Sequence, residues 1–265
     1  GIAVNDGTGK MQLLNGNDTA ALLVHYILDA YKTNGTLPAN GFTAATVVTT
    51  DLIADISAAY GVPCYRCLTG FKWIADIINN KPEEQFLVGG EESYGYLIGD
   101  EVRDKDAVAS AVMIAEMAAN AKAQGRTVLQ QLEAIHREFG QYQERLIAVT
   151  KKGRSGAQEI ADMMTALRND PPKTLAGSPV IIAIDHGKST QTDLLTGATS
   201  STELPASNVL QFITEAGDKV SARPSGTEPK IKFYFSVRAT TGDSHAATKA
   251  ELERKIDTFI EELNL

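Results

Sequence analysis

Between about residues 44 and 140 the chain alternates strand-like and helix-like segments, and no other feature restricts its fold as strongly. Thr46 to Thr49, Val62 to Tyr65 and Phe86 to Val88 are short runs suited to strands. Leu52 to Tyr60, Phe71 to Asn79, Ala107 to Ala123 and Val128 to Glu138 repeat apolar residues at helical spacing. A strand followed by a helix and another strand returns parallel, and parallel strands bury both faces. The pattern therefore implies an α/β fold, a three-layer α/β/α domain with a mostly parallel sheet. Ahead of it, Ile2 to Val4 and Met11 to Leu14 flank an Asp6-Gly7 turn and read as a hairpin. Asn17-Asp18-Thr19 then offers N-cap candidates for a helix through Ala20 to Leu28. A chain that opens inside a hairpin is expected to be part of a longer polypeptide.

After Gly140 the pattern changes. Strands are expected at Arg145 to Val149, Val180 to Ile184, Val209 to Ile213, Lys219 to Ala222 and Ile231 to Val237. Helices are expected at Gly156 to Leu167 and Glu251 to Leu263, and a Gly/Ser/Thr-rich connection from Gly187 to Glu203. Strands in series bracketed by two helices suggest an α+β domain with an antiparallel sheet, its boundary at 140–144.

Charge narrows the possible partners. The formal net charge is −8, so the expectation is of no nucleic-acid and no membrane partner; an anion would need a local pocket. No apolar run approaches the roughly 20 residues that span a bilayer. The two cysteines, Cys64 and Cys67, fit a reducing compartment, and the expected location is cytoplasmic.

Arg223-Pro224-Ser225-Gly226-Thr227-Glu228-Pro229-Lys230 places a guanidinium fork, two hydroxyls, a glycine backbone and a lysine in one loop between two strands. That set suits a tetrahedral dianion, although Pro-Ser-Gly also suits a plain polar turn. Gly89-Gly90-Glu91-Glu92-Ser93 follows an apolar strand, where open α/β sheets place ligands; a carboxylate beside a hydroxyl can bind vicinal sugar hydroxyls or simply face water. Asp104-Lys105-Asp106 either sets a cation beside the same place or caps the next helix. Thr69-Gly70 offers a hydroxyl and backbone N–H groups where a helix begins. The Cys64/Cys67 spacing lacks the second pair that zinc needs and fits buried thiols better than a redox pair. His186-Gly187-Lys188-Ser189-Thr190 lacks the leading glycine of a P-loop, Ile182 standing in its place. His25, His136, His186 and His245 form no ligand cluster in the sequence, and no metal ligands are expected in this chain.

In this order, Thr69-Gly70-Phe71-Lys72-Trp73-Ile74, Gly90-Glu91-Glu92-Ser93-Tyr94-Gly95-Tyr96 with Asp104-Lys105-Asp106, and Arg223 to Lys230 resemble the α-D-phosphohexomutase superfamily of phosphoglucomutases and phosphomannomutases. Gly1 to Asn17 looks like the stretch after that family's metal-binding loop, so the resemblance covers essentially the whole chain. It implies the C-terminal half of a four-domain enzyme. Residues 1–16 would be the tail of a preceding α/β domain, 17–140 the α/β/α sugar-recognition domain, and 141–265 a phosphate-binding α+β domain resembling the TATA-box-binding-protein fold. The implied reaction interconverts hexose 1-phosphate and hexose 6-phosphate through a phosphoserine and a sugar bisphosphate. It implies Mg²⁺ held by aspartates outside this chain and a glucose 1,6-bisphosphate-type activator.

By the same resemblance Glu91, Ser93, Thr69, Gly70 and Lys105 bind the sugar. Arg223, Ser225, Gly226, Thr227 and Lys230 bind the phosphate that is not reacting. No catalytic residue is expected here; the partner is the N-terminal half of the same polypeptide, and this chain alone is expected to be inactive. Tyr94-Gly95-Tyr96 stands where many bacterial members have Gly-His, which keeps a phosphopentomutase-like or glucose-1,6-bisphosphate-forming relative open beside hexose chemistry. A non-catalytic phosphosugar-binding module is the other alternative.

Overall fold

The computed structural model describes every residue except Lys152, Arg154, Thr241 and Asp243. Its contacts separate Gly1–Gly140 from Gln141–Leu265 as two compact units.

The first unit opens with β1 (Ile2–Asn5) and β2 (Met11–Leu14), an antiparallel pair. Helix α1 (Gly16–Thr33) follows, capped by Asn15, whose side chain accepts from the Asp18 amide at 2.8 Å. The cap precedes the expected Asn17 to Thr19 because Asn17 is buried and occupied elsewhere: its Oδ1 accepts from the Thr50 amide. Next come β3 (Gly41–Thr46), α2 (Leu52–Ala59), β4 (Cys64–Cys67), α3 (Phe71–Asn80), β5 (Gln85–Glu91), β6 (Gly95–Ile98), α4 (Ala107–Ala123) and α5 (Val128–Phe139). The sheet order is β4-β3-β5-β6, with β4, β3 and β5 parallel and β6 antiparallel at the edge.

Phe42 and Ala44 of β3, Cys67 of β4, Phe86 of β5 and Leu97 of β6 pack with Phe71, Ile74 and Ile78 of α3. Helix α1 lies against β5 and α2 on the other side, completing three layers. The strand expected at Thr46 to Thr49 is misplaced. Strand β3 ends at Thr46, and Val47 to Thr50 form a buried loop. That loop avoids the usual cost of burying irregular backbone because Arg66 donates to the carbonyls of Thr49 (2.8 Å) and Thr50 (3.4 Å).

The second unit contains β7 (Gln141–Thr150), α6 (Gly156–Asn169), β8 (Thr174–Leu175), β9 (Ser178–Asp185), β10 (Thr190–Asp193), β11 (Thr199–Ser201), β12 (Leu210–Thr214), β13 (Lys219–Pro224), β14 (Lys230–Ala239) and α7 (His245–Glu262). Its sheet is antiparallel throughout, ordered β11-β10-β9-β12-β13-β14-β7, with β8 paired to β9. The stretch read as a connection from Gly187 to Glu203 therefore contains two strands. Ile160 and Met164 of α6 share one core with Leu252, Ile256 and Phe259 of α7 and with Val220, Ala222, Ile231, Phe233, Phe235 and Val237 of the sheet. Both helices thus cover the same sheet face. The intervening residues Ser221, Arg223, Lys230, Lys232 and Tyr234 point to the opposite face.

Candidate functional site

The first unit gathers its candidates at the C-terminal ends of β4 and β5. Leu68, Thr69 and Gly70 join β4 to α3, and Gly70 takes φ 119°, a conformation that favours glycine. This turn aims the Gly70 amide at the end of β5, where it donates to Glu91 Oε1 at 2.7 Å. Glu91 is only 4% exposed, and an anion at a helix N-terminus is favoured by the unpaired amides there. Oε2 has no hydrogen-bond partner among the described residues. In the residue before Gly70, Thr69 Oγ1 is buried and also without a partner among the described residues. A carboxylate oxygen of a buried residue and, one residue before the amide that holds that carboxylate, a buried hydroxyl are both left without a partner, so a ligand hydroxyl there would complete the hydrogen bonding.

The other sugar candidates surround this corner. A side chain at Gly95 would meet Lys105 Cδ at 3.1 Å and Glu91 Oε2 at 3.4 Å, so the Lys105 stem passes close to the carboxylate. Ser93 lies exposed on the turn between β5 and β6. Glu92 faces elsewhere, with its amide and carboxylate bound to Thr49 Oγ1 at 3.2 and 3.3 Å. Gly89 and Gly90 approach strands, not a ligand: a Cβ would sit 2.2 Å from the Ala44 carbonyl oxygen in one case and 2.6 Å from that of Gly95 in the other.

In the second unit, Arg223 lies near the end of β13, directly opposite Lys232 of β14. Both are half-buried, and neither side chain has a hydrogen bond or ion pair among the described residues. Two like charges across an antiparallel pair repel. The remaining cross-strand neighbour of Lys232 is Ala148, which supplies no compensating charge. Ser225 to Pro229 close the hairpin through Ser225 N–H to the Lys230 carbonyl at 2.7 Å, and Gly226 is surrounded by open space. The Thr227 amide reaches Ser225 Oγ at 3.4 Å. Lys230 is paired with Glu228 at 3.1 Å, so its charge is already partly met. Lys232 is the cation the sequence reading missed; only the strand register reveals it.

The set-aside motifs take structural places. Cys64 and Cys67 are free, and their spacing along β4 puts them on opposite faces. Burial pushes the Cys67 thiol up to about 12, which keeps it protonated and unreactive. His25 packs edge-on against Tyr60 and Phe139. Among the described residues no group of three His, Cys, Asp or Glu could hold a metal.

Residues 15–139 match the family described as phosphoglucomutase/phosphomannomutase, alpha/beta/alpha domain III. A phosphoglucomutase of Staphylococcus epidermidis is 37% identical over 238 residues, which are 89% of this chain and 43% of that protein. The chain belongs to the phosphoglucomutase/phosphomannomutase family. It spans less than half the length of that relative. Two solved structures of the family share the fold. Paramecium pp63/parafusin, a phosphoglucomutase, aligns with a TM-score of 0.65 at 17% identity, over 97% of this chain and 42% of its own. A phosphoglucomutase/phosphomannomutase family protein of Burkholderia thailandensis aligns with a TM-score of 0.56 at 13% identity, over 99% of this chain and 44% of its own.

Proposed function

We propose that this chain supplies the sugar- and phosphate-binding residues of a phosphohexomutase that interconverts hexose 1-phosphate and hexose 6-phosphate. The observation that carries this reading is the corner where the Gly70 amide holds Glu91 Oε1, leaving Glu91 Oε2 without a partner among the described residues, next in sequence to the buried, unpartnered Thr69 Oγ1. Glu91 would accept from ring hydroxyls, with Ser93 and Thr69 as further hydroxyl contacts and the Gly70 amide holding the carboxylate in place. Lys105 would add a cation beside them. In residues 141–265, Arg223 would grip a phosphate bidentately, with Ser225, Thr227 and the Gly226 backbone as donors and Lys230 in support. Lys232 joins this set, because a phosphate dianion would relieve its repulsion with Arg223.

In this reading residues 17–140 are the sugar-recognition domain and 141–265 the phosphate-binding domain, preceded by the tail of another domain in 1–16. The fold of 141–265 would be of the TATA-box-binding-protein type. The phosphoserine that donates the phosphoryl group and the Mg²⁺ beside it belong to other parts of the longer enzyme, as does priming by a glucose 1,6-bisphosphate-type activator. No step assigned to this chain runs through Mg²⁺. The work of these residues is to orient the sugar and neutralise phosphate charge, which is much of what phosphoryl transfer asks of a protein. The setting in this reading is the cytoplasm, where the unpaired thiols of Cys64 and Cys67 would stay reduced.

The test is phosphoglucomutase activity in a polypeptide joining this chain to the family's upstream domains. Arg223→Ala is expected to lower the rate on the order of a hundredfold, the loss of a bidentate charged contact. Activity equal to the parent would contradict the phosphate role.

A further inference from the structure

Tyr94 is held in the left-handed region at φ 66°, where a bulky side chain is disfavoured. The conformation is imposed by its surroundings. Glu91 pairs with Gly95 across the hairpin, leaving Glu92, Ser93 and Tyr94 as a three-residue loop whose last position calls for a left-handed residue. The loop cannot relax, because α1 begins against it: a Cβ on Gly16 would lie 1.7 Å from the Glu92 carbonyl oxygen and 3.1 Å from the Tyr94 amide. Tyr96, two residues on, ties the same place by donating its hydroxyl to the Gly16 carbonyl at 2.9 Å. Glycine is the residue this position favours, yet the chain carries an aromatic ring that contributes little to the core. The ring is 49% exposed, its hydroxyl has no partner among the described residues, and its one close neighbour among the glycines is Gly1, at 3.7 Å from that residue's Cβ position.

Backbone strain retained beside a binding corner points to the side chain's use there. We infer that Tyr94 is a substrate-contacting, specificity-determining residue, its exposed ring packing on the C–H face of the sugar whose hydroxyls Glu91 and Ser93 bind. The inference rests on the sugar-binding reading of Glu91. It assigns the choice of sugar ring to the turn and leaves phosphate recognition to Arg223.

The experiment is calorimetric titration of the chain with glucose 1-phosphate, and separately with inorganic phosphate, alongside thermal unfolding. Tyr94→Gly is expected to weaken glucose 1-phosphate binding roughly tenfold, leave inorganic phosphate binding unchanged, and leave Tm equal or higher because the strain is removed. Tyr94→Phe keeps the ring and is expected to bind within about twofold of the parent. A Tyr94→Gly variant with parental glucose 1-phosphate affinity overturns the inference. So does one that loses both ligands equally, and a fall in Tm with affinity intact would show that the ring serves packing alone. Glu91→Gln separates the two readings. If it weakens glucose 1-phosphate binding and Tyr94→Gly does not, only the role of Tyr94 fails. If neither variant changes binding, or the parent binds no glucose 1-phosphate, the sugar-binding reading fails with it.

Discussion

Position 16 has no room for any side chain beyond hydrogen. A Cβ there would lie 1.7 Å from the Glu92 carbonyl oxygen and 2.5 Å from its carbon, contacts with backbone that cannot swing aside. Gly16→Ala should therefore destabilise the first unit by about 3 kcal/mol, measured by urea unfolding followed by circular dichroism. An unchanged midpoint would show that α1 does not clamp the Glu92–Tyr94 turn. Single residues were legible in the sequence where their chemistry was contiguous. Arg223 to Lys230 stand together in the chain, so their aptness for an anion shows without coordinates. Lys232 was not legible, because strand register and not sequence distance sets it opposite Arg223. The unsatisfied Thr69 hydroxyl was equally hidden: its type and position were readable, but burial without a partner belongs to the fold.

At the scale of elements, the long periodic segments were readable and the short ones were not. Helix α4 runs from Ala107 to Ala123 as its spacing implies, and β1 and β2 pair around the Asp6-Gly7 turn. Strand β6 was hidden because Gly95-Tyr96-Leu97-Ile98 sits directly after a ligand-like loop and carries no alternating pattern. Strands β10 and β11 are polar, Thr190–Asp193 and Thr199–Ser201, with no buried face to impose periodicity.

Helix packing also brings a pH dependence. His25 of α1 lies among Tyr60, Phe139, Asp29 and Glu138, and burial lowers its pKa from the ordinary 6.5 despite the two carboxylates. The folded form then binds the proton less readily than the unfolded chain. Stability is fully present above about pH 6.5 and declines as pH falls toward the depressed value. Thermal unfolding between pH 7.5 and 5.5 should show this decline, and His25→Gln should flatten it over that range. An identical slope in the variant would assign the effect to other groups.

Across the whole molecule, an acidic chain of net charge −8 keeps two unpaired cations, Arg223 and Lys232, side by side on one hairpin. Arg223 and Lys232 have no partner among the described residues, so phosphate recognition would be local and not a matter of the global field. The first unit matches domain III of the family, and the chain spans about 43% of a curated relative. In the proposed reading this span carries the recognition residues of a phosphohexomutase. The most direct measurement is calorimetric titration of glucose 1,6-bisphosphate into the chain and into its Glu91→Gln and Arg223→Met variants. The parent is expected to bind, with affinity weakened about tenfold or more by each substitution, since each removes a charged hydrogen-bonding partner. No binding by the parent, or equal affinity in all three proteins, would contradict it.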